Sequence, residues 1–197
     1  VLFLDELGEF PPGSLDALRQ PIEDGQISIA RANRTVRFPS RIQVVAATNP
    51  CPCGYDGDWR IPCECSDSHK RRYKSRLSGP FSDRIDIRID VLRVPAHELS
   101  APPGESAMAV RERVEAARRR QFGRSKLNRE LTLEELDELP VTDAAASMLA
   151  RVVDAEGLSG RGWDRLRRLS RTIADLEEAD VVDGRHVEEA IELRRAA

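Results

Sequence analysis

The chain has 197 residues, of which 40% are hydrophobic and 33% charged, with a formal net charge of −3. That length suits one large domain or two small ones, the composition predicts a soluble globular fold, and no apolar run approaches the roughly 20 residues that a membrane-spanning helix needs. Aromatic residues make up only 5%, which argues against base stacking as a main mode of nucleic-acid binding.

The opening VLFLDELGEF has no basic leader and no small-residue cleavage site, so it is not expected to be a signal peptide. It is expected to be a buried strand cut open at its beginning, as in an excised piece of a longer protein. Val1 to Leu4 is all apolar and ends in Asp5-Glu6, the pattern of a strand buried on both faces as it emerges at a sheet edge. Pro11, Pro12 and Gly13 break the chain. A helix is predicted over 15–23, capped by Ser14, with Leu15, Leu18 and Ile22 on one face and Gly25 at its end. Two short alternating stretches follow, 26–30 and 35–38, joined by Arg31-Ala32-Asn33-Arg34. They predict a β-hairpin with a polar, basic tip. A second buried strand is predicted over 42–48, with Asn49 at its end.

A Gly/Pro/Cys-rich loop, 50–66, comes next, then a helix over 70–77. Ile85, Ile87, Ile89 and Val91 alternate with charged residues and predict a third, half-exposed strand. Residues 1–95 are therefore expected to form the α/β part and 96–104 a linker rich in proline. Residues 105–197 are helical in periodicity throughout, with helices predicted at 105–122, 132–138, 142–156, 160–178 and 184–195. The fold class is α/β followed by all-α.

Charge is unevenly spread. Residues 111–129 hold eight Arg or Lys against two Glu, and residues 69–76 hold five Arg or Lys and one His. Such patches either meet phosphate or form solvated helix faces.

Apolar residues followed by Asp-Glu are the Walker B pattern. Asp5 at the carboxyl end of a parallel strand stands where ligands bind in open α/β sheets. A carboxylate there can hold Mg²⁺, directly or through water, while the ion bridges nucleotide phosphates. Glu6 would then orient and polarise the attacking water. By itself this pattern also describes any strand that ends in a polar turn.

The four cysteines lie together as Cys51-x-Cys53 and Cys63-x-Cys65. Two close pairs of thiolates can form a tetrahedral zinc site, although one-residue spacers are tighter than the commoner two to four. His69 could replace one cysteine. Four protein ligands leave no open position, so the site is expected to be a structural staple rather than a catalytic zinc.

Taken in order, LFLDE, LDALRQPIEDG, the hairpin IxIAR…TVRFP, QVVAATNPCPCG and RLSGPFSDRIDI resemble the magnesium-chelatase-related branch of the AAA+ ATPases. Within it they are most similar to the ComM/YifB-like group. The tail GRGWDRLRRLSRTIADLE resembles that group's C-terminal helical domain, and the resemblance covers essentially the whole chain. It implies a partial AAA+ parallel-sheet core, from Walker B onward, plus a helical lid.

The resemblance also implies roles by position. Asn49 matches the polar sensor that bonds the γ-phosphate or the lytic water. Arg84 matches the arginine finger given to a neighbouring subunit, with Arg88 and Arg76 as rivals. Arg161 matches the second sensor, with Arg165 as its alternate; a cation is poorly placed at a helix N-terminus, and a phosphate partner would explain it. Members with cysteines show a similar cluster, which implies Zn²⁺. The hairpin carrying Arg31, Arg34 and Arg37 matches one that meets DNA in the central channel of helicase-like relatives.

The implied whole is a cytoplasmic bacterial ring motor, a homo-hexamer that hydrolyses ATP with Mg²⁺ and drives DNA branch migration. A chelatase motor for Mg²⁺ insertion into porphyrin and a protein-remodelling ATPase are the alternatives. The phosphate-cradling GxxxxGK[ST] loop is not among these residues, so the chain alone is expected to bind ATP weakly and to be inactive.

Overall fold

The computed structural model describes residues 1–31, 34–77 and 81–195. Its described residues form two compact units, Val1–Ile85 and Asp86 to the C-terminal helix.

In the first unit, β1 (Leu2–Leu4) pairs in parallel with β4 (Val44–Ala46), in the register Leu2 with Val44, Phe3 with Val45 and Leu4 with Ala46. Parallel pairing of strands so far apart in sequence needs a crossover. Here it is supplied by α1 (Pro12–Asp24) and the antiparallel hairpin β2 (Gln26–Arg31) and β3 (Arg34–Pro39).

The core packs Leu4, Leu7, Leu15 and Phe81, with Leu2, Leu18, Ile22 and Val44 beside them. The apolar face read from α1 is thus the one that is buried. The helix starts earlier than predicted, however. Pro11 is its N-cap, Pro12 opens it, and the Ser14 amide donates to the Pro11 carbonyl, so Ser14 lies inside the first turn. Proline at the first position suits a helix start, where an amide would have no partner.

Two strand expectations are corrected. The strand predicted over 42–48 is only Val44–Ala46, and β1 and β4 are not buried on both faces: Phe3 is 60% and Val45 42% exposed. Leu2, Leu4 and Val44 face the core, while Phe3 and Val45 lie on the other side of a two-stranded sheet. Residues 85–91 form no strand. Their alternation is real, but a strand needs a ladder partner, and among the described residues none pairs with them; Ile89 is 71% and Val91 89% exposed.

The predicted helix at 70–77 is the longer α2 (Asp67–Leu77). Within the expected linker lies a single turn, α3 (Ala96–Leu99).

The second unit is helical: α4 (Ala107–Gly123), α5 (Leu133–Asp137), α6 (Asp143–Glu156), α7 (Gly160–Leu176) and α8 (Gly184–Arg195). Side-chain caps explain several starts. Ser106, Thr132, Thr142 and Ser159 each accept an amide from three residues on, and Thr132 with Glu135 forms a full capping box. The stripe Leu166, Leu169, Ile173 and Ala174 on α7 packs with Leu149, Val152, Val187 and Ile191 to make the core.

Beneath that core runs a buried polar network. Asp175, fully buried, accepts from Arg171 Nη2 at 2.9 Å, Arg124 Nη2 at 2.5 Å and Asn128 Nδ2 at 2.8 Å.

Candidate functional site

The parallel pairing of β1 and β4 brings Asp5-Glu6 and Asn49 to the same, carboxyl edge of the sheet. The pairing continues past the strands: the Ala47 amide donates to the Leu4 carbonyl at 2.9 Å, and the Leu7 amide donates to the Ala47 carbonyl at 2.8 Å. Asp5 is exposed, and its Oδ1 accepts the Glu6 amide at 3.0 Å. Glu6 has φ 49° and ψ 47°. That left-handed backbone is uncommon for a residue with a side chain and is held only where the surroundings impose it. It makes the sharp turn that lets the chain leave β1 while Leu7 stays bonded to the neighbouring strand end.

The first cysteine of the loop stands two residues after Asn49. The Cys51 Sγ lies 3.4 Å from Cys53 Sγ and 3.6 Å from Cys63 Sγ, and Cys53 and Cys63 are 3.5 Å apart. All four sulfurs, Cys65 included, fall within 4.8 Å of one another. Zinc–sulfur bonds of 2.3 Å in a tetrahedron separate the sulfurs by about 3.8 Å, so the set fits such an ion.

Gly54 permits the fold of the first pair. It has φ +83°, and its amide closes a turn on the Cys51 carbonyl at 3.0 Å. His69 stands exposed on α2, outside this cluster.

The thiols differ electrostatically. A backbone N–H from Tyr55 draws the Cys53 thiol down to about 6, whereas burial pushes Cys65 up to about 12 and raises Cys63. Four thiolates at this separation repel one another, and a divalent cation is what makes them all ionise.

Helix α2 leaves the loop directly after Cys65 and is pinned to it. Lys70 Nζ is 2.7 Å and Lys74 Nζ 3.2 Å from the Asp56 carboxylate. Its far end returns to the carboxyl edge, where Arg76 donates to the Gly8 carbonyl at 3.0 Å and Tyr73 is buried.

The arginines fall into distinct settings. Arg84 is bound within its own unit, its Nη2 2.7 Å from Glu23 Oε2 with only 9% of the side chain exposed. Arg76, one rival, is tied to Gly8; Arg88, the other, lies in the second unit, where its amide donates to the Leu193 carbonyl. Arg161 is the second residue of α7 and is exposed, while Arg165 is 3.3 Å from Asp86.

In the hairpin, the register sets Ile27 against Phe38, Ile29 against Val36 and Arg31 against Arg34. Arg31 and Arg34 therefore share a face with four half-exposed apolar residues, and Arg37, opposite Ser28, lies on the other face. The three arginines are not one cluster, because side chains alternate along a strand. The tip residues Ala32 and Asn33 lie outside the described residues.

The basic stretch 111–129 is largely spent on internal pairs. Arg113 grips Glu105, Arg120 pairs with Asp180, Arg124 with Asp175 and Lys126 with Glu135. Periodicity could not show these partners, which come from other segments of the second unit.

The family model for magnesium chelatase, subunit ChlI, matches residues 1–99, and that for the subunit ChlI C-terminal region matches residues 104–194. The chain belongs to the magnesium chelatase ChlI-like family. Similarity to members of this family extends over nearly all of it. YifB of Escherichia coli is 43% identical over 199 aligned residues, covering 98% of this chain and 39% of that protein. The competence protein ComM of Haemophilus influenzae is 42% identical, covering 98% of this chain and 38% of that protein. The DNA replication licensing factor Mcm6 of Drosophila melanogaster is 25% identical, over 98% of this chain and 24% of its own length. The chain thus spans about two fifths of the ChlI-like relatives YifB and ComM. None of its described helices is long and apolar enough to cross a membrane.

Proposed function

We propose that this chain carries the hydrolytic edge of an ATP-driven ring motor that acts on DNA. The observation that supports this most is the shared carboxyl edge of β1 and β4, with Asp5-Glu6 on one strand end and Asn49 on the other. A metal-holding acid, a water-orienting acid and a polar amide at one edge are what phosphoryl transfer from a nucleotide needs, since its catalysis is mostly positioning and charge stabilisation. Asp5 would hold Mg²⁺, which when bound offsets phosphate charge. Glu6 polarises the attacking water, and Asn49 bonds the γ-phosphate or that water. Arg161 reaches the γ-phosphate from the lid, and Arg84 serves the nucleotide of the next subunit in a hexamer.

The cysteine set holds one structural Zn²⁺ that orders the loop after Asn49. Arg31 and Arg34 at the hairpin tip, with Arg37 behind them, supply DNA-phosphate contacts. ComM and Mcm6 carry competence and DNA replication in their names, which favours DNA as the substrate, and the bacterial sources of ComM and YifB support a bacterial, cytoplasmic setting.

The family description itself favours a second reading, a motor for metal chelation into a porphyrin. ATP hydrolysis by the full-length protein with and without DNA separates the two. DNA is expected to raise the rate severalfold; a rate indifferent to DNA but raised by a porphyrin-binding partner would favour chelation.

A further inference from the structure

Outside the residues assigned above, one buried side chain touches both segments that form the carboxyl edge. Tyr73 lies on α2 and is 4% exposed. Its ring presses on Gly8 so closely that a Cβ at that position would sit 2.2 Å from the ring Cζ. Its hydroxyl is 3.2 Å from Thr48 Oγ1. Gly8 is two residues beyond Glu6, and Thr48 immediately precedes Asn49.

Two residues before Gly8 is the left-handed turn at Glu6, a conformation that persists only if its surroundings fix it. The Leu7 amide bond to Ala47 and the Arg76 bond to Gly8 act on the same turn. Helix α2 is in turn set by the cysteine loop through the Lys70 and Lys74 pairs with Asp56. A mechanical chain therefore runs from the cysteine loop, along α2, to the edge.

We propose that Tyr73 is a positioning residue: it wedges between Gly8 and Thr48 and fixes the spacing of Glu6 and Asn49 across the carboxyl edge. The role of the edge in hydrolysis rests on the function proposed above. Packing alone would be served by phenylalanine. The hydroxyl is different, because its partner is the side chain next to Asn49, and a buried tyrosine hydroxyl generally needs such a partner. The wedge also requires glycine at position 8, since any other side chain would occupy the ring's space.

The test uses the full-length protein. Tyr73→Phe keeps the ring on Gly8 and removes the bond to Thr48. It is expected to lower kcat for ATP by about five- to tenfold, with KM and zinc content unchanged within about twofold. Thr48→Val is expected to give a similar loss, and the double variant little more, because both remove one interaction. A purely structural role would lower the unfolding temperature and leave kcat alone. An unchanged kcat in Tyr73→Phe, beside a Glu6→Gln variant that no longer hydrolyses ATP, overturns the proposal.

If Glu6→Gln hydrolyses at the normal rate, the hydrolytic assignment falls on its own. Amide hydrogen exchange at residues 5–8 and 47–49 then decides the positioning role. Faster exchange in Tyr73→Phe at both segments supports it, and unchanged exchange overturns it.

Discussion

The Arg84 guanidinium and the Glu23 carboxylate meet at 2.7 Å, with the arginine side chain almost wholly covered. In the proposed role Arg84 would have to be presented outward to a neighbouring subunit, and Glu23 on α1 would then compete with that subunit's phosphate for it. Arg84→Ala is expected to abolish hydrolysis in the full-length protein, leave nucleotide binding within about threefold and destabilise the first unit by about 1–3 kcal/mol, because a largely covered charged hydrogen bond is lost. Glu23→Gln should weaken the tether and keep hydrolysis. Thermal unfolding and steady-state ATPase assays read both effects. A mixture of Arg84→Ala and Glu6→Gln subunits should recover some activity, since one interface then has both groups intact. Normal hydrolysis by Arg84→Ala would move the finger to Arg88 or Arg76.

The cysteine cluster is expected to carry about one Zn²⁺ per chain. Cys51→Ser or Cys63→Ser should lose the metal and lower the unfolding temperature, as elemental analysis and calorimetry would measure. Binding should also weaken as pH falls. Cys53 ionises near 6, but burial holds Cys63 and Cys65 in the protonated form, so metal entry must displace their protons and each step down in pH opposes it. Metal-free protein prepared without chelator would contradict the assignment.

How far the chain could be read in advance depended on where each partner lies. The lid helices are legible because 3.6-residue periodicity is local, as in the stripe Leu166, Leu169 and Ile173. The hairpin and the clustered cysteines were legible for the same reason. The alternation at 85–91 predicts a strand that the structure lacks, because alternation says nothing about whether a second strand is available. Proximity in sequence groups the three hairpin arginines, and only the register shows that Arg37 lies on the face opposite the other two. Tyr73 does not stand out in the sequence, because it sits in a basic helix and its partners Gly8 and Thr48 are far away along the chain.

That register changes what the hairpin should do on DNA. Replacing Arg31 and Arg34 together in the full-length protein is expected to weaken binding uniformly across sequences. It should also reduce the slope of log K against log salt by about two phosphate contacts. Arg37→Ala should have a smaller effect, since it lies on the opposite face. Basal ATPase without DNA should persist in both cases. Unchanged affinity and salt slope in the double variant would take the hairpin out of the DNA path.

In the helical unit, Asp175→Ala should be among the costliest single changes. It removes the fully buried carboxylate on which Arg171, Arg124 and Asn128 converge. Removing one partner of a buried charged network costs about 3–5 kcal/mol, readable by chemical denaturation. A loss below about 1 kcal/mol would mean that the network is not a main support of this unit.

The central claim is that Glu6, in its left-handed turn at the end of β1, is the acid that activates water for ATP hydrolysis. The most direct test is a single substitution, Glu6→Gln, in the full-length protein, with nucleotide affinity and turnover measured on the same preparation. The predicted result is ATP binding within about threefold of the unaltered protein and turnover reduced about 100-fold or more, as expected when a positioned acid–base group is lost. Turnover at the normal rate, with binding intact, would contradict it.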